Sequence, residues 1–306
     1  MHKLTVLGSI NADHVIQVPH FPQPGETLSG QNYHIVYGGK GANQAVAAAR
    51  LGAKVDFIAC IGEDKIGLEM KQAFQKDGIN TDSIATIQGE TTGIAMIQVA
   101  DSGENSIVIS AGANAHLTTD IVDKFKQKIL DTDALLMQLE TPLDAIIYAT
   151  KIAKQAGKHT VLNPAPAKAL PDELLAQLTM ITPNETEAEV LTGIKVVDEQ
   201  SAAQAAAVFH QKGVAIVLIT LGAKGVFISH NALQKIIPGF RVQAKDTTAA
   251  GDTFNGALAT ALLEQKSLEE AIQFAHAAAA ISVTRFGAQT SIPSRQETLD
   301  FLANIK

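Results

Sequence analysis

Short strands, apolar on both faces, alternate with helical patterns along most of this chain, and that rhythm leaves few folds open. Residues 4–7, 55–61, 134–138, 160–162, 180–182 and 215–220 read as strands, the last followed by another at 226–229. Helical patterns occupy 67–76, 119–130, 144–155, 255–264, 267–284 and 295–303. Strands buried on both faces and joined through helices pair in parallel, with helices covering both sides of the sheet. The 306 residues, 46% hydrophobic and 18% charged, supply enough apolar surface for a large core. We read residues 1–306 as a single α/β domain.

Two stretches break the rhythm. Residues 14–37 carry Pro19, Pro22, Pro24 and Gly25, show no helical period, and contain an extended run at 32–37. Residues 92–99 and 106–110 read as a hairpin across Asp101–Asn105. Segments of about 14–37 and 92–110 therefore form a small β element outside the main sheet, placed as a lid over a site.

The chemistry concentrates in a few places. At 246–256, Ala249, Ala250 and Gly251 let another molecule approach their backbone N–H groups at a helix start, where unpaired donors and the dipole favour an anion. Asp252 puts a carboxylate beside that anion site. A base next to phosphoryl-holding donors is the layout of a phosphotransferase; a well-capped helix is the structural alternative. Gly38–Gln44 opens another helix with Gly39, Lys40 and Asn43. It is not a P-loop, because Gly41 stands where Ser or Thr is required, and Gln44 replaces the third glycine of a dinucleotide fingerprint. Asn11 and Asp13 follow the first strand, where open α/β sheets bind ligands; they either hold adjacent hydroxyls or form an Asx turn. Asn184 and Glu187 either cap a helix or offer oxygen ligands to Mg²⁺ or its waters. Thr220–Gly225 is a tight turn between strands, or a loop touching a nucleotide, or both. His276 lies within an Ala-rich helix and reads first as a core residue.

The remaining composition excludes classes. A net charge of −7 with scattered Lys and Arg argues against a nucleic-acid partner. The single cysteine, Cys60, permits no internal disulfide and sits in a buried strand. The apolar run at the N-terminus is too short for a signal peptide or membrane span, so a cytoplasmic protein without membrane contact is expected.

Taken together, the segments at 38–43 and 246–252 resemble the two signature motifs of the ribokinase-like sugar kinase family. Asn11–Asp13, Asn184–Glu187 and Thr220–Gly225 are similar to its other recurrent elements, in the family's order and across nearly the whole chain. The resemblance implies a three-layer sandwich with a mostly parallel central sheet, a small β lid, and ATP-dependent phosphorylation of D-ribose at O5. It implies Asp252 as the catalytic base and Ala249, Ala250 and Gly251 as an anion hole. Asn11, Asp13, Gly39, Lys40, Asn43 and Glu140, with Asp252, match sugar-binding positions. Asn184, Thr220, Gly222, Gly225, Gly251 and His276 match ATP-binding positions, and Glu187 belongs to the box associated with Mg²⁺. An activating K⁺ is implied at Asp246, Thr248, Ser282, Arg285, Gly287 and Ser291, largely through carbonyls, and a homodimer is implied through the lid.

Competing readings have discriminating features. A sibling kinase acting on fructose, a nucleoside or a sugar acid would share the mechanism. The polar set around Asn11, Asp13, Lys40, Asn43 and Glu140 suits a small free sugar better than a nucleoside base. A non-catalytic sugar-binding protein on the same fold would have no need of a base beside an anion hole. A nicotinamide-dependent oxidoreductase lacks its fingerprint here.

Overall fold

A computed structural model describes residues 3–304. In chain order the strands are β1 (Lys3–Leu7), β2 (Asn11–Val18), β3 (Gln31–Gly38), β4 (Lys54–Gly62), β5 (Ile84–Ile87), β6 (Gly93–Ala100), β7 (Asn105–Ser110), β8 (Ala134–Met137), β9 (His159–Leu162), β10 (Met180–Ile181), β11 (Ile216–Thr220), β12 (Val226–His230) and β13 (Leu233–Ile237). Nine of them form one sheet in the order β13-β12-β11-β10-β9-β8-β1-β4-β5. It is parallel from β5 to β11 and turns antiparallel at β12 and β13. The period of two sorts side chains onto its faces. Leu4, Val6 and Leu136 pack under the helices Lys40–Arg50, Ala250–Leu263 and Leu268–Ser282; Leu7, Leu135 and Met137 pack under Leu143–Gln155 and Glu199–Gln211. The result is the three-layer, mostly parallel architecture that the strand–helix rhythm requires.

Small residues set the spacing of one outer layer. Gly256 crosses the helix Lys40–Arg50 so closely that a Cβ there would lie 2.6 Å from both the Gln44 carbonyl oxygen and the Ala47 Cβ. That contact brings the N-termini of both helices to the same end of the sheet, beside the carboxyl ends of β1 and β8.

The other four strands form a separate sheet in the order β3-β2-β6-β7. β2 pairs antiparallel with β3 and parallel with β6, and β7 returns antiparallel to β6.

Several sequence expectations shift. Asn11–Asp13 is not a turn but the start of β2, so Asn11 and Asp13, two residues apart, share one face of that sheet. The helix at 119–130 is two pieces meeting at Phe125, because the second piece is held separately: Thr5 donates to the Lys128 carbonyl at 3.0 Å and the Lys128 ammonium pairs with Asp56 at 2.9 Å. The helix after Asp246 starts at Ala250, five residues ahead of the Ala-rich run, with Ala249 in the left-handed region at φ 58°. β5, β13 and the helix Glu199–Gln211 were not anticipated. The last carries a sequence signal, the Asp198 and Ser201 capping box.

Candidate active site

The carboxyl ends of β1, β8, β9, β10 and β11 converge on the N-termini of Lys40–Arg50 and Ala250–Leu263. Asp252, in the first turn of the latter, is buried, and each of its oxygens accepts one amide hydrogen bond. Asn43 Nδ2 reaches Oδ2 at 3.0 Å and Gln44 Nε2 reaches Oδ1 at 2.9 Å. Burial pushes its carboxyl above the ordinary range, against the Lys40 ammonium and the two amide donors; Glu140 adds to the rise. The Asn43 donor is committed to Asp252, and its buried Oδ1 has no partner among the described residues. It is a buried acceptor that the described residues leave without a donor.

Around this carboxylate lie the other sugar candidates. Glu140 Oε2 accepts from Ser9 Oγ at 2.5 Å and from the Lys40 backbone N–H at 2.9 Å. Asn114, itself buried, donates to Asn11 Oδ1 at 2.8 Å, which leaves the Asn11 amide N–H groups to point elsewhere. Gly39, at φ 91°, lies against the Asn11 N–H; a Cβ would approach it to 2.7 Å, so only glycine closes this corner. Asp13 is pushed up to about 7 by burial, with Glu140 and Asp252 adding repulsion and Lys40 opposing. Burial works to lower the Lys40 ammonium, but the charges of Asp252, Glu140, Glu187 and Asp13 outweigh it and hold the group well charged. One cation thus faces four carboxylates.

The nucleotide candidates meet in a cavity of about 750 Å³. Thr220, Gly222, Gly225, Gly251 and His276 all line it, with Phe240, Val242, Phe254, Ala279 and Val283 as an apolar wall. Open space lies over Gly251, since a Cβ there would meet nothing within 4 Å. The Ala250 N–H is turned back to the Thr247 carbonyl at 3.2 Å, whereas the next N–H groups belong to a first helical turn without intrahelical acceptors. His276 has its pKa lowered to about 4 by burial, against a smaller opposite pull from the Pro238 carbonyl. Neither ring nitrogen makes a well-formed hydrogen bond among the described residues. A neutral imidazole therefore offers one donor and one acceptor in an otherwise apolar chamber. Asn184 does not line this cavity. It forms an isolated bridge with Thr220 and caps its helix, exchanging bonds with Glu187, whose two oxygens accept from the Asn184 N–H (2.9 Å) and Nδ2 (3.0 Å). Burial raises the Glu187 carboxyl, against the Asn184 N–H and Lys40.

A cluster of buried polar side chains, a buried carboxylate and a large chamber meeting at Gly251–Asp252 make up the layout that a sugar phosphotransferase needs. The model of the pfkB family carbohydrate kinases matches residues 1–295. The chain belongs to this family. Among its relatives, the ribokinase of Haemophilus influenzae is 66% identical over 98% of both chains. The ribokinase of Staphylococcus aureus is 44% identical over 97% of this chain and 98% of its own. The solved structure of Arabidopsis thaliana ribokinase complexed with ribose and ATP superposes with a TM-score of 0.93 at 35% identity, covering 99% of each chain.

In this carbohydrate kinase the six residues matched to a monovalent cation fall on two stitched segments, the loop of Asp246 and Thr248 and the end of the helix Leu268–Ser282 with the turns that follow it. Asp246 Oδ1 accepts from the Thr248 N–H and hydroxyl, its Oδ2 accepts from the Gly287 N–H at 2.8 Å, and the Lys245 N–H donates to the Val283 carbonyl at 2.7 Å. Burial opposes ionisation of Asp246, but these hydrogen bonds outweigh it and hold its pKa low. Arg285 pairs its guanidinium with Glu297 at 2.6 Å, so its side chain turns away from the loop. Ser282 and Ser291 are buried close by in sequence, each donating to a carbonyl three residues back. One carboxylate amid carbonyl and hydroxyl oxygens suits a weakly charged cation better than a divalent one.

Sequence reasoning missed Ser9, Gln44, Asn114, Gln138 and Asn163. Gln44 was noted only for not being glycine. Its signal was present: a polar side chain one residue after Asn43 in a helix whose other residues between Lys40 and Arg50 are small and apolar.

Proposed function

We propose that the chain transfers the γ-phosphoryl group of ATP to the 5-hydroxyl of D-ribose, giving D-ribose 5-phosphate and ADP. The observation that carries this reading is Asp252: a buried carboxylate oriented by two amide donors, one residue beyond the open backbone at Gly251. The relatives named ribokinase, and the solved one holding ribose and ATP together, support the choice of substrates.

Asn11, Asp13, Lys40, Asn43 and Glu140 hold the sugar hydroxyls with a mixture of donors and acceptors. Asp252 accepts the 5-hydroxyl proton as that oxygen attacks, because a carboxylate is too weak a base to ionise a free alcohol beforehand. The Gly251 and Asp252 N–H groups, at the positive end of the helix, face the transferring phosphoryl group. The apolar wall, His276 and the Thr220–Gly225 loop take the adenine nucleotide. The small sheet closes over the sugar as a lid and keeps water from the γ-phosphoryl group.

Mg²⁺ fits this site as a companion of ATP. Four carboxylates face one ammonium, so a polyphosphate entering alone would be repelled. Glu187, at the N-terminal end of its helix, is the carboxylate that would lie beside such an ion or its bound waters. Bound there, the ion neutralises charge on the phosphoryl oxygens. K⁺ would be held by the segments carrying Asp246, Thr248, Ser282, Arg285, Gly287 and Ser291, and would stiffen the chain leading into Ala249. The protein works in the cytoplasm, where ATP is available, without nucleic-acid or membrane partners, and as a homodimer joined through the lid.

The test is ADP release with Mg-ATP and ribose, fructose, adenosine or no sugar, in K⁺ and in tetramethylammonium. Ribose- and K⁺-dependent release is expected. Asp252→Ala should lose on the order of 10²–10⁴-fold in kcat with ribose binding largely kept; unchanged turnover in this variant would remove the assignment of the base.

A further inference from the structure

Behind Asp252 runs a chain of buried amides that the reaction, as described so far, does not use. Gln44, Gln138 and Asn163 are each less than one-tenth exposed. Gln138 Nε2 donates to Gln44 Oε1 at 2.7 Å. Gln44 Nε2 donates both to Asp252 Oδ1 at 2.9 Å and to Asn163 Oδ1 at 3.0 Å. Asn163 Nδ2 donates to the Thr182 backbone carbonyl at 3.0 Å.

A terminal amide has a donor end and an acceptor end, and hydrogen bonding must decide which points where. Here the decision is made at the far end. The Thr182 carbonyl can only accept, so Asn163 must present its nitrogen to it and its oxygen to Gln44. Gln44 must then turn its nitrogen toward Asn163, and the second hydrogen of that nitrogen falls on Asp252. Gln138 locks the arrangement from the other side by donating to the Gln44 oxygen.

We propose that Gln44, oriented by Asn163 and Gln138, is a positioning residue that fixes the Asp252 carboxylate in its reactive rotamer and favours its ionised form. The proposal rests on Asp252 being the base of the transfer. With Asn43 on one oxygen and Gln44 on the other, the carboxylate cannot rotate without losing a bond. The lone pairs not engaged by the amides stay directed at the sugar. Three strand ends contribute, since Gln138 follows β8, Asn163 follows β9 and Thr182 follows β10. The relay therefore ties the base to the sheet as well as to its own helix.

The test uses Gln44→Met and Gln138→Met, neutral replacements of similar length, with Asp252→Ala as the reference. Gln44→Met should lower kcat about 10–100-fold at neutral pH, the cost of one hydrogen bond to a charged group. Its ribose KM should stay within about three-fold of the parent, as for an interaction exercised in the transition state. The acid limb of its kcat profile should move up by about one pH unit, because a donor favouring the ionised form is gone. Raising the pH should then recover part of the lost rate, which damage to the fold would not allow. Gln138→Met should move the same limb in the same direction by less. A folded Gln44→Met with the parental kcat and pH profile, beside an inactive Asp252→Ala, overturns the relay and leaves the base assignment standing. An active Asp252→Ala removes both. Failure of both Met variants to fold would assign the amides to the fold alone and also overturn the proposal.

Discussion

Asp13 shows how a single side chain links binding to pH. It projects from β2 opposite Val36, and its carboxylate reaches over Gly38, where a Cβ would strike it. Burial and the nearby Glu140 and Asp252 push its pKa up to about 7. The unliganded protein thus holds a proton on Asp13 that the unfolded chain releases near pH 4. The folded form binds more protons between those values, so this group makes the unliganded protein less stable as pH rises from about 4 to about 7. Sugar hydroxyls donating to the carboxylate favour its charged form and reverse part of that rise. Ribose binding should therefore release a proton near pH 7, and ribose affinity should fall as the medium becomes more acidic. Calorimetry in buffers of different ionisation enthalpy measures this directly. A binding heat that does not vary with the buffer would mean that Asp13 is already ionised. Asp13→Asn should abolish both the proton release and the fall in stability between about pH 4 and about pH 7. The sequence marked Asp13 as a candidate through its place after the first strand; the company of Glu140 and Asp252, which sets its charge, comes from residues more than one hundred positions away.

At the scale of elements, the site depends on how closely two helices cross. Gly256 lies in the interior of Ala250–Leu263, where Gly→Ala ordinarily adds about 1 kcal/mol of helix stability. Here the new methyl would lie 2.6 Å from the Gln44 carbonyl oxygen and 2.9 Å from the Ala48 nitrogen. Backbone atoms cannot yield as a side-chain tip can, and overpacking of this kind costs about 1–3 kcal/mol. The clash wins, so Gly256→Ala should lower the melting temperature. It should also lower kcat, because the atom displaced belongs to Gln44, one of the two donors to Asp252. Circular dichroism melts and steady-state rates on the same preparation check both; a stabilised, fully active variant would mean that the helices separate freely. This crossing explains what the sequence could and could not disclose. The buried strands were legible because β1, β4, β8 and β11 are apolar on both faces. Gly38–Asn43 and Ala249–Asp252 were legible as ligand-approach motifs, because small residues beside one acid are an unusual helix start. Asn163 and Gln138, by contrast, are ordinary polar residues past two short strands, and only the sheet order β9-β8-β1 brings them to Gln44. β13, half-exposed and five residues long, offered too short an alternation to separate from a loop. Helix 119–130 was read as continuous because the contacts that divide it come from Thr5 and Asp56.

For the whole molecule, the small sheet is the part least explained by the single chain. β7 is exposed along its full length, an unpaired edge of the kind soluble proteins avoid. The strand registers place Ile35, His14, Met96 and Val108 in one row across all four strands. Ile35 is 40%, Met96 53% and Val108 69% exposed, and this row lies on the face opposite Asp13. Ile107 and Ile109, on the Asp13 side of the same edge strand, are half exposed as well. A sheet with apolar side chains open on both faces is marginal alone and becomes stable when a second layer covers it. A second copy of the chain presents the same row and the same edge, so the proposed two-fold pairing through the small sheets would cover exposed apolar surface on both copies. If the small sheet is the lid proposed for it, the arrangement would also steady that lid and couple assembly to substrate affinity. Replacing Met96 and Val108 together by Lys tests this, since neither side chain is needed inside the protomer. Sedimentation velocity should show a dimer for the parent chain and a monomer for the double variant. The ribose KM of that variant should rise, with Mg-ATP affinity nearly unchanged because the nucleotide chamber lies at Gly222–Gly251, away from the lid strands. A parent chain that sediments as a monomer at micromolar concentration, with the exposed row unprotected from amide exchange in β6 and β7, would refute the pairing.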